Sequence, residues 1–276
     1  MMRKTFIELS RQELLRDPHS RVLLGDISVG GFMDADEQLV PGVLNMGIAE
    51  QAMIAFAAGI SYAGHNVIVH TIAAFLVERA FEQIKLACGY NQCRLILTSA
   101  NGPYDYDRLG PTHHCPSDVS LLATVPNLDI RVPATVEDVR ECYAEALVNP
   151  HSTYIRLTSR SAKLPCEPIR EGVWKKIYIR SGEASREYKG QTQAVICIGE
   201  SLTYWLSQKM DQDVALYWTS DPRAAVPDDV ECFQDILVLE PYTVPMLSAP
   251  VRAQRRTFSI QPKKLITANM GWEDFE

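Results

Sequence analysis

Between residues 21 and 160, five stretches rich in β-branched residues recur: RVLLGD, NVIVHTI, RLILTSA, LDIRVP and STYIRLTS. They read as strands, and the segments separating them carry the spacing of helices. Strands alternating with helices favour a parallel sheet with right-handed crossovers, because a parallel pair needs a long connection. The plan is α/β, and ligands of such sheets gather at the carboxyl ends of the strands. AFLVERAFEQIKLAC places Val77, Ala80, Phe81, Ile84, Ala87 and Cys88 on one face of a helix. A second helix opens with Thr135 three residues before Asp138 and continues through Val136, Val139, Tyr143, Ala146 and Leu147.

The pattern breaks where Pro165, Pro168 and Gly172 interrupt regular structure. A first domain is therefore expected over 1–165, a linker over 166–190, and a smaller α/β domain over 191–276. AVICIGE, VALYWTS and DILVLEP read as strands of the latter, SLTYWLSQKM and VPMLSAPVRAQ as helices, and ITANMGWEDFE as an extended tail or docking segment. A chain of 276 residues with 46% hydrophobic content has material for two such cores. A net charge of −7 provides no basic field, so small molecules and proteins are the expected partners, not nucleic acid or an anionic membrane. Seven cysteines, an odd number without a C-x-x-C pair, argue against a disulfide framework or a zinc site and for a reducing compartment. The segment MMRKTFIELSRQELL lacks the apolar core of a signal peptide, and the longest apolar stretch contains Glu50 and Gln51. The expectation is a soluble, cytoplasmic protein.

Two segments could carry chemistry. In NMGIAEQAMIAFAAGISYAG, Glu50 is the one acidic residue at the start of an otherwise apolar helix. Such a residue complements the helix dipole, or, placed in a cleft among apolar neighbours, serves proton exchange; periodicity does not choose between these. The loop SANGPYDYDRLGPTHHCPSD comes after a strand and contains the adjacent pair His113 and His114. Imidazoles titrate near neutrality, but loop histidines are often only solvated. No metal-ligand spacing accompanies them.

The segments GDISVGG, NMGIAEQ, TIAAFLVERAFEQI, GPTHH and VPATVEDV, in this order, resemble the pyrimidine-binding domain of transketolases and deoxyxylulose-phosphate synthases over about residues 1–165. The later strands resemble a shortened transketolase C-terminal domain. The resemblance implies thiamine diphosphate as cofactor. Glu50 matches the activating glutamate, which hydrogen-bonds N1′ of the aminopyrimidine so that the 4′ nitrogen can take the thiazolium C2 proton. Phe75 matches the aromatic that stacks on the pyrimidine, and Asp26 an acidic position lining the same region. His113 matches the substrate histidine, with His114 beside it. Arg3 and Arg160 resemble arginines that bind a substrate phosphate, whose dianion suits a guanidinium fork. Arg79 reads as structural or interfacial. Leu109 stands where transketolases commonly carry an aspartate, and Asn101 near the place of a phosphate-binding histidine, so two departures fall where a sugar-phosphate donor would be recognised.

Enzymes of this kind hold the diphosphate through Mg²⁺ (or Ca²⁺) bound by a G-D-G motif and a later asparagine. Gly25-Asp26 is followed here by Ile27, and no G-D-G occurs in the chain. The resemblance then implies a separate subunit carrying the diphosphate-binding domain and the metal, with an α2β2 assembly and this chain as β. The activity implied is ketol transfer from a ketose-type donor to an aldehyde. The alternatives are a decarboxylating carboligase or a 2-oxo acid dehydrogenase E1 β-like subunit, and a non-catalytic regulatory subunit.

Overall fold

Two strand sequences, LILTSA at Leu95–Ala100 and STYIRL at Ser152–Leu157, are buried at every position, as in central strands of a parallel sheet covered on both faces. The computed structural model describes residues 1–208, 212–242 and 264–269. The chain forms two units: Met1–Arg131 with Val136–Ser159, and Val132–Thr135 with Arg160–Glu276. The first holds β1 (Ser20–Leu24), β2 (Val43–Asn45), β3 (Asn66–Ile72), β4 (Leu95–Ala100), β5 (Leu128–Arg131) and β6 (Ser152–Leu157), ordered β2-β1-β3-β4-β6-β5. Every pairing is parallel; Val22, for example, aligns with Val43 on one side and Ile68 on the other. All five strands read from the sequence are present, and β2 is added at the edge, at three residues too short to show a period.

On one face, α1 (Met2–Arg16) and α5 (Val136–Val148) close a core of Met2, Phe6, Val22, Ile68, Val139 and Tyr143. The helix α1 did not stand out in the sequence because its buried stripe is half polar: Thr5, Ser10 and Glu13 lie beside Met2 and Phe6. Those polar groups are satisfied locally. Arg16 bonds both Glu13 oxygens at 2.7 and 2.8 Å, and Tyr143 Oη donates to Ser10 Oγ at 3.1 Å. The other face packs α2 (Glu50–Tyr62), the stretch 74–90 and the short α4 (Asp118–Leu122). The stretch 74–90 departs from the single α-helix expected there. It runs as a π turn at Ala74–Arg79, α3 at Phe81–Ile84, and a second π turn at Lys85–Tyr90. The expected face still faces inward: Val77, Ala80, Ile84, Ala87 and Cys88 are buried, with Phe81 partly so.

In the second unit, β10 (Gln193–Ile198), β11 (Val214–Thr219) and β12 (Asp235–Glu240) are the three strands read from the sequence, all parallel. α6 (Ser201–Gln208) comes after β10, and its Leu202 and Trp205 pack with Ile177, Val195, Leu216 and Trp218. The stretch 166–190 is not a bare linker. It contains β7 (Ile169–Glu171), β8 (Trp174–Arg180) and β9 (Glu183–Ser185), with β8 antiparallel to β11 and bordered by the other two. Its prolines and Gly172 mark the ends and turn of a hairpin. Residues 132–135 also belong here: Val132 N donates to Ser220 O at 2.7 Å, and Ala162 N to Ala134 O at 2.9 Å. Residues 266–269, read as tail, fall in β13 (Lys264–Asn269), parallel to β12. The helix expected at 244–254 and the tail beyond 269 lie outside the described residues.

A buried polar trio ties α4 to the centre of the first sheet. Arg156 on β6 pairs both guanidinium edges with Asp118, its Nε at 2.8 Å from Oδ2 and its Nη2 on Oδ1, and neither side chain is exposed. Tyr154 Oη donates to Asp118 Oδ2 at 2.6 Å, and burial beside that carboxylate holds the phenol well above its usual range. Removing one partner from such a pair leaves an uncompensated buried charge, which costs about 3–5 kcal/mol. Asp118→Ala is therefore expected to lower unfolding free energy in urea by about that amount, while Asp118→Leu with Arg156→Met restores most of it. A loss below about 1 kcal/mol in the single variant would contradict this account.

Candidate active site

The carboxyl ends of the parallel strands bring most of the sequence candidates to one edge of the first unit. β1 runs into Gly25 and Asp26, β2 into the start of α2 at Glu50, β3 into the π turn with Phe75, and β4 into Asn101. A Cβ on Gly25 would lie 2.6 Å from Thr71 Oγ1, so only glycine lets β1 and β3 approach this closely.

Glu50 is 1% exposed. Its surroundings are not apolar alone: Thr71 Oγ1 lies 3.3 Å from Oε1 and 3.4 Å from Gly25 O, and Arg79 Nη1 donates to Oε2 at 2.7 Å. Arg79, read from the sequence as structural or interfacial, is thus part of the cluster. Its Cζ also stands 4.0 Å from the centroid of the half-buried Phe75 ring. His113 closes the group, its ring edge-on to Phe75 at 5.1 Å and to Tyr106 at 5.8 Å, with Nδ1 3.0 Å from Thr112 Oγ1. Glu50, Arg79, Phe75 and His113 therefore form one connected set combining an acid, a cation, an aromatic ring and an imidazole.

The remaining candidates divide. Asp26 is exposed in a left-handed conformation (φ 57°), and Asn45 fastens it by accepting from Asp26 N at 3.1 Å and donating to Oδ1 at 3.0 Å. Asn101 turns the chain at the end of β4 with φ 68°, a conformation that asparagine tolerates. Leu109 is 54% exposed on a single turn of 3-10 helix, and Pro111–His113 forms the next such turn. His114 is buried against Tyr104, ring centroids 5.6 Å apart, and not in the Phe75 cluster. Arg3 is exposed at the start of α1, where Met2 Sδ lies 3.5 Å from Thr158 beyond β6. Arg160 is exposed and belongs to the second unit. Asp105 braces the loop after β4, accepting from Gly102 N at 2.6 Å and from Ser159 N and Oγ at 2.6 and 2.8 Å. Among the described residues, no group of three or more His, Cys, Asp or Glu could hold a metal ion, and no helix is long and apolar enough to cross a membrane.

One buried imidazole escaped the sequence reading. His70, near the end of β3, has no exposed surface; Nε2 is 3.0 Å from Ser28 Oγ, Nδ1 is 2.9 Å from Thr98 Oγ1, and Phe6 lies against its ring at 4.5 Å. Burial, with a smaller contribution from the charge of Arg3, pulls its pKa down to about 3. The signal was a lone histidine in the strand sequence NVIVHTI.

Fold and site define an α/β ligand-binding domain with its site at the carboxyl edge of a parallel sheet. The family model described as transketolase, pyrimidine binding domain, matches residues 1–163, and the chain belongs to this family. A protein from Rhodococcoides fascians described as an uncharacterized 33.6 kDa protein in fasciation locus is 34% identical over 149 residues, covering 54% of this chain and 48% of that one. One of the two subunits of the apulose-4-phosphate transketolase from Phocaeicola vulgatus is 30% identical over 158 residues, covering 55% and 48%. The matches thus span about half the length of these curated relatives. Among solved structures, a split gene transketolase, inactive beta4 tetramer, superposes with a TM-score of 0.74 at 19% identity, covering 98% of this chain and 90% of that one. At that identity the likeness is one of fold.

Because His70 stays neutral in the folded chain down to about pH 3 while an unfolded histidine takes a proton near 6.5, the unfolded state binds more protons between those values. The stability His70 contributes is complete above about pH 6.5 and is lost as pH falls from there towards 3, by up to about 1.4 kcal/mol per pH unit. His70 C2–H resonances are expected not to titrate between pH 5 and 8. A midpoint near 6.5 would refute the assignment.

Proposed function

We propose that this chain is the β subunit of a split thiamine diphosphate-dependent transketolase, providing the pyrimidine side of an active site that moves a two-carbon ketol unit from a ketose-type donor to an aldehyde. The supporting observation is the buried Glu50 carboxylate next to the Phe75 ring, with a flat N–H-donating group, the Arg79 guanidinium, between them at 2.7 Å from the oxygen and 4.0 Å from the ring centroid. A planar nitrogen heterocycle fits the same two residues. Thiamine diphosphate, when bound, supplies the carbanion chemistry that no side chain has. Glu50 holds the hydrogen bond at N1′, Phe75 carries the ring face, and Asp26 lines the edge. His113, packed against Phe75, offers its imidazole to substrate oxygens. His114, Arg3, Arg160, Asn101 and Leu109 are assigned to substrate recognition on the family resemblance.

The diphosphate and its Mg²⁺ or Ca²⁺ are assigned to a separate subunit with a G-D-G motif in an α2β2 assembly. A relative named as one subunit of a transketolase and the fold likeness to a split gene transketolase support that division. We assign 1–165 to the pyrimidine side and the later strands to a shortened transketolase C-terminal domain. Leu109 keeps one further reading in view: an exposed apolar side chain where a hydroxyl-binding aspartate is usual suits a 2-oxo acid donor, as in a decarboxylating carboligase or a 2-oxo acid dehydrogenase E1 β-like subunit.

Glu50→Gln, in the complex reconstituted with the diphosphate-binding partner, is expected to lower kcat about 10²- to 10⁴-fold with the melting temperature little changed. Activity within about threefold of wild type would remove the catalytic assignment and leave a regulatory subunit. Release of CO₂ from pyruvate without ketose cleavage would choose the second donor class.

A further inference from the structure

The two residues assigned to the pyrimidine are both held by one side chain of the chain itself. Arg79 donates to Glu50 Oε2 at 2.7 Å while its Cζ lies 4.0 Å from the Phe75 centroid. A guanidinium is flat, cationic and rich in N–H donors, so it meets an acid and an aromatic face much as a protonated nitrogen heterocycle does. A ring stacked on that face and bonded to that oxygen needs the space the guanidinium fills. The two partners differ in freedom: the Arg79 side chain is 39% exposed and that of Glu50 1%. Water can receive the guanidinium when it swings outward, whereas the carboxylate has nowhere to go. While Arg79 is in place, it also spares the buried Glu50 the cost of an unpaired charge.

We propose that Arg79 is an internal occupant of the pyrimidine site, holding Glu50 and Phe75 until the cofactor ring displaces its guanidinium towards solvent. This rests on the function proposed above. The apparent affinity for cofactor is then that of the vacated site reduced by the fraction of molecules in which Arg79 has swung out. A half-exposed ion pair together with a cation–π contact makes that reduction about three- to twentyfold. A residue that instead steadied Glu50 around the bound ring would have the opposite effect when removed.

The test is equilibrium binding, not turnover. Thiamine diphosphate with Mg²⁺ is titrated calorimetrically into the complex of this chain with its diphosphate-binding partner, using wild type, Arg79→Ala and Arg79→Lys. Arg79→Ala is expected to bind at least about threefold more tightly than wild type. Arg79→Lys, which keeps a cation for Glu50 but has no flat group to lay on Phe75, is expected to fall between them, and carries the comparison alone if the alanine variant does not assemble. Equal or weaker binding in the variants overturns the displacement model and leaves the proposed function standing. Absence of binding in wild type and variants alike overturns both.

Discussion

A carboxylate carried into the interior of an α/β sheet loses several kcal/mol of hydration, and the fold must return hydrogen bonds in its place. Glu50 imposes that demand on everything around it. Thr71 supplies a hydroxyl from β3, and Gly25 gives up its side chain so that Thr71 can stand close to β1. Arg79 supplies the charge from a wide helical turn. Strand spacing, helix type and the choice of glycine at position 25 are all bound to where this one acid is buried.

The parallel sheet supplies the gathering. With every strand of the first unit pointing the same way, the residues after β1, β2, β3 and β4 arrive at one edge although they are far apart in sequence. The buried Arg156–Asp118–Tyr154 trio anchors α4, which comes just after the histidine-bearing loop, to the strand β6. Asp105 fastens the beginning of the same loop to Ser159. The loop that presents His113 is thus tied at both ends by buried or braced carboxylates, which limits how far its imidazole can drift from Phe75.

What could be read from the sequence was what repeats. The central strands were legible because they are apolar and β-branched along their length, and Glu50 because it interrupts an apolar helix. The family resemblance, not periodicity, brought Phe75 and His113 together with it. Arg79 was misjudged because a charged residue in an amphipathic stretch reads as solvated, and nothing local tells that it reaches a carboxylate 29 positions away in sequence. His70 and the polar members of α1 were missed for the related reason that polar residues become interior only when partners from other elements satisfy them. The strands between 166 and 190 were hidden by the prolines that bound them.

A π turn is a helix with one residue more than its span requires. Deleting a residue between 74 and 79 would let the backbone close into ordinary α-geometry, and each residue removed from such a helix rotates the remainder of the turn by about 100°. The sheet would keep its register, but Arg79 would come to point along a different radius from the one that meets Glu50. The partnership of Phe75 and Arg79 is therefore encoded in chain length as much as in residue identity, so relatives that keep both side chains but differ by one residue in this turn would not keep the contact.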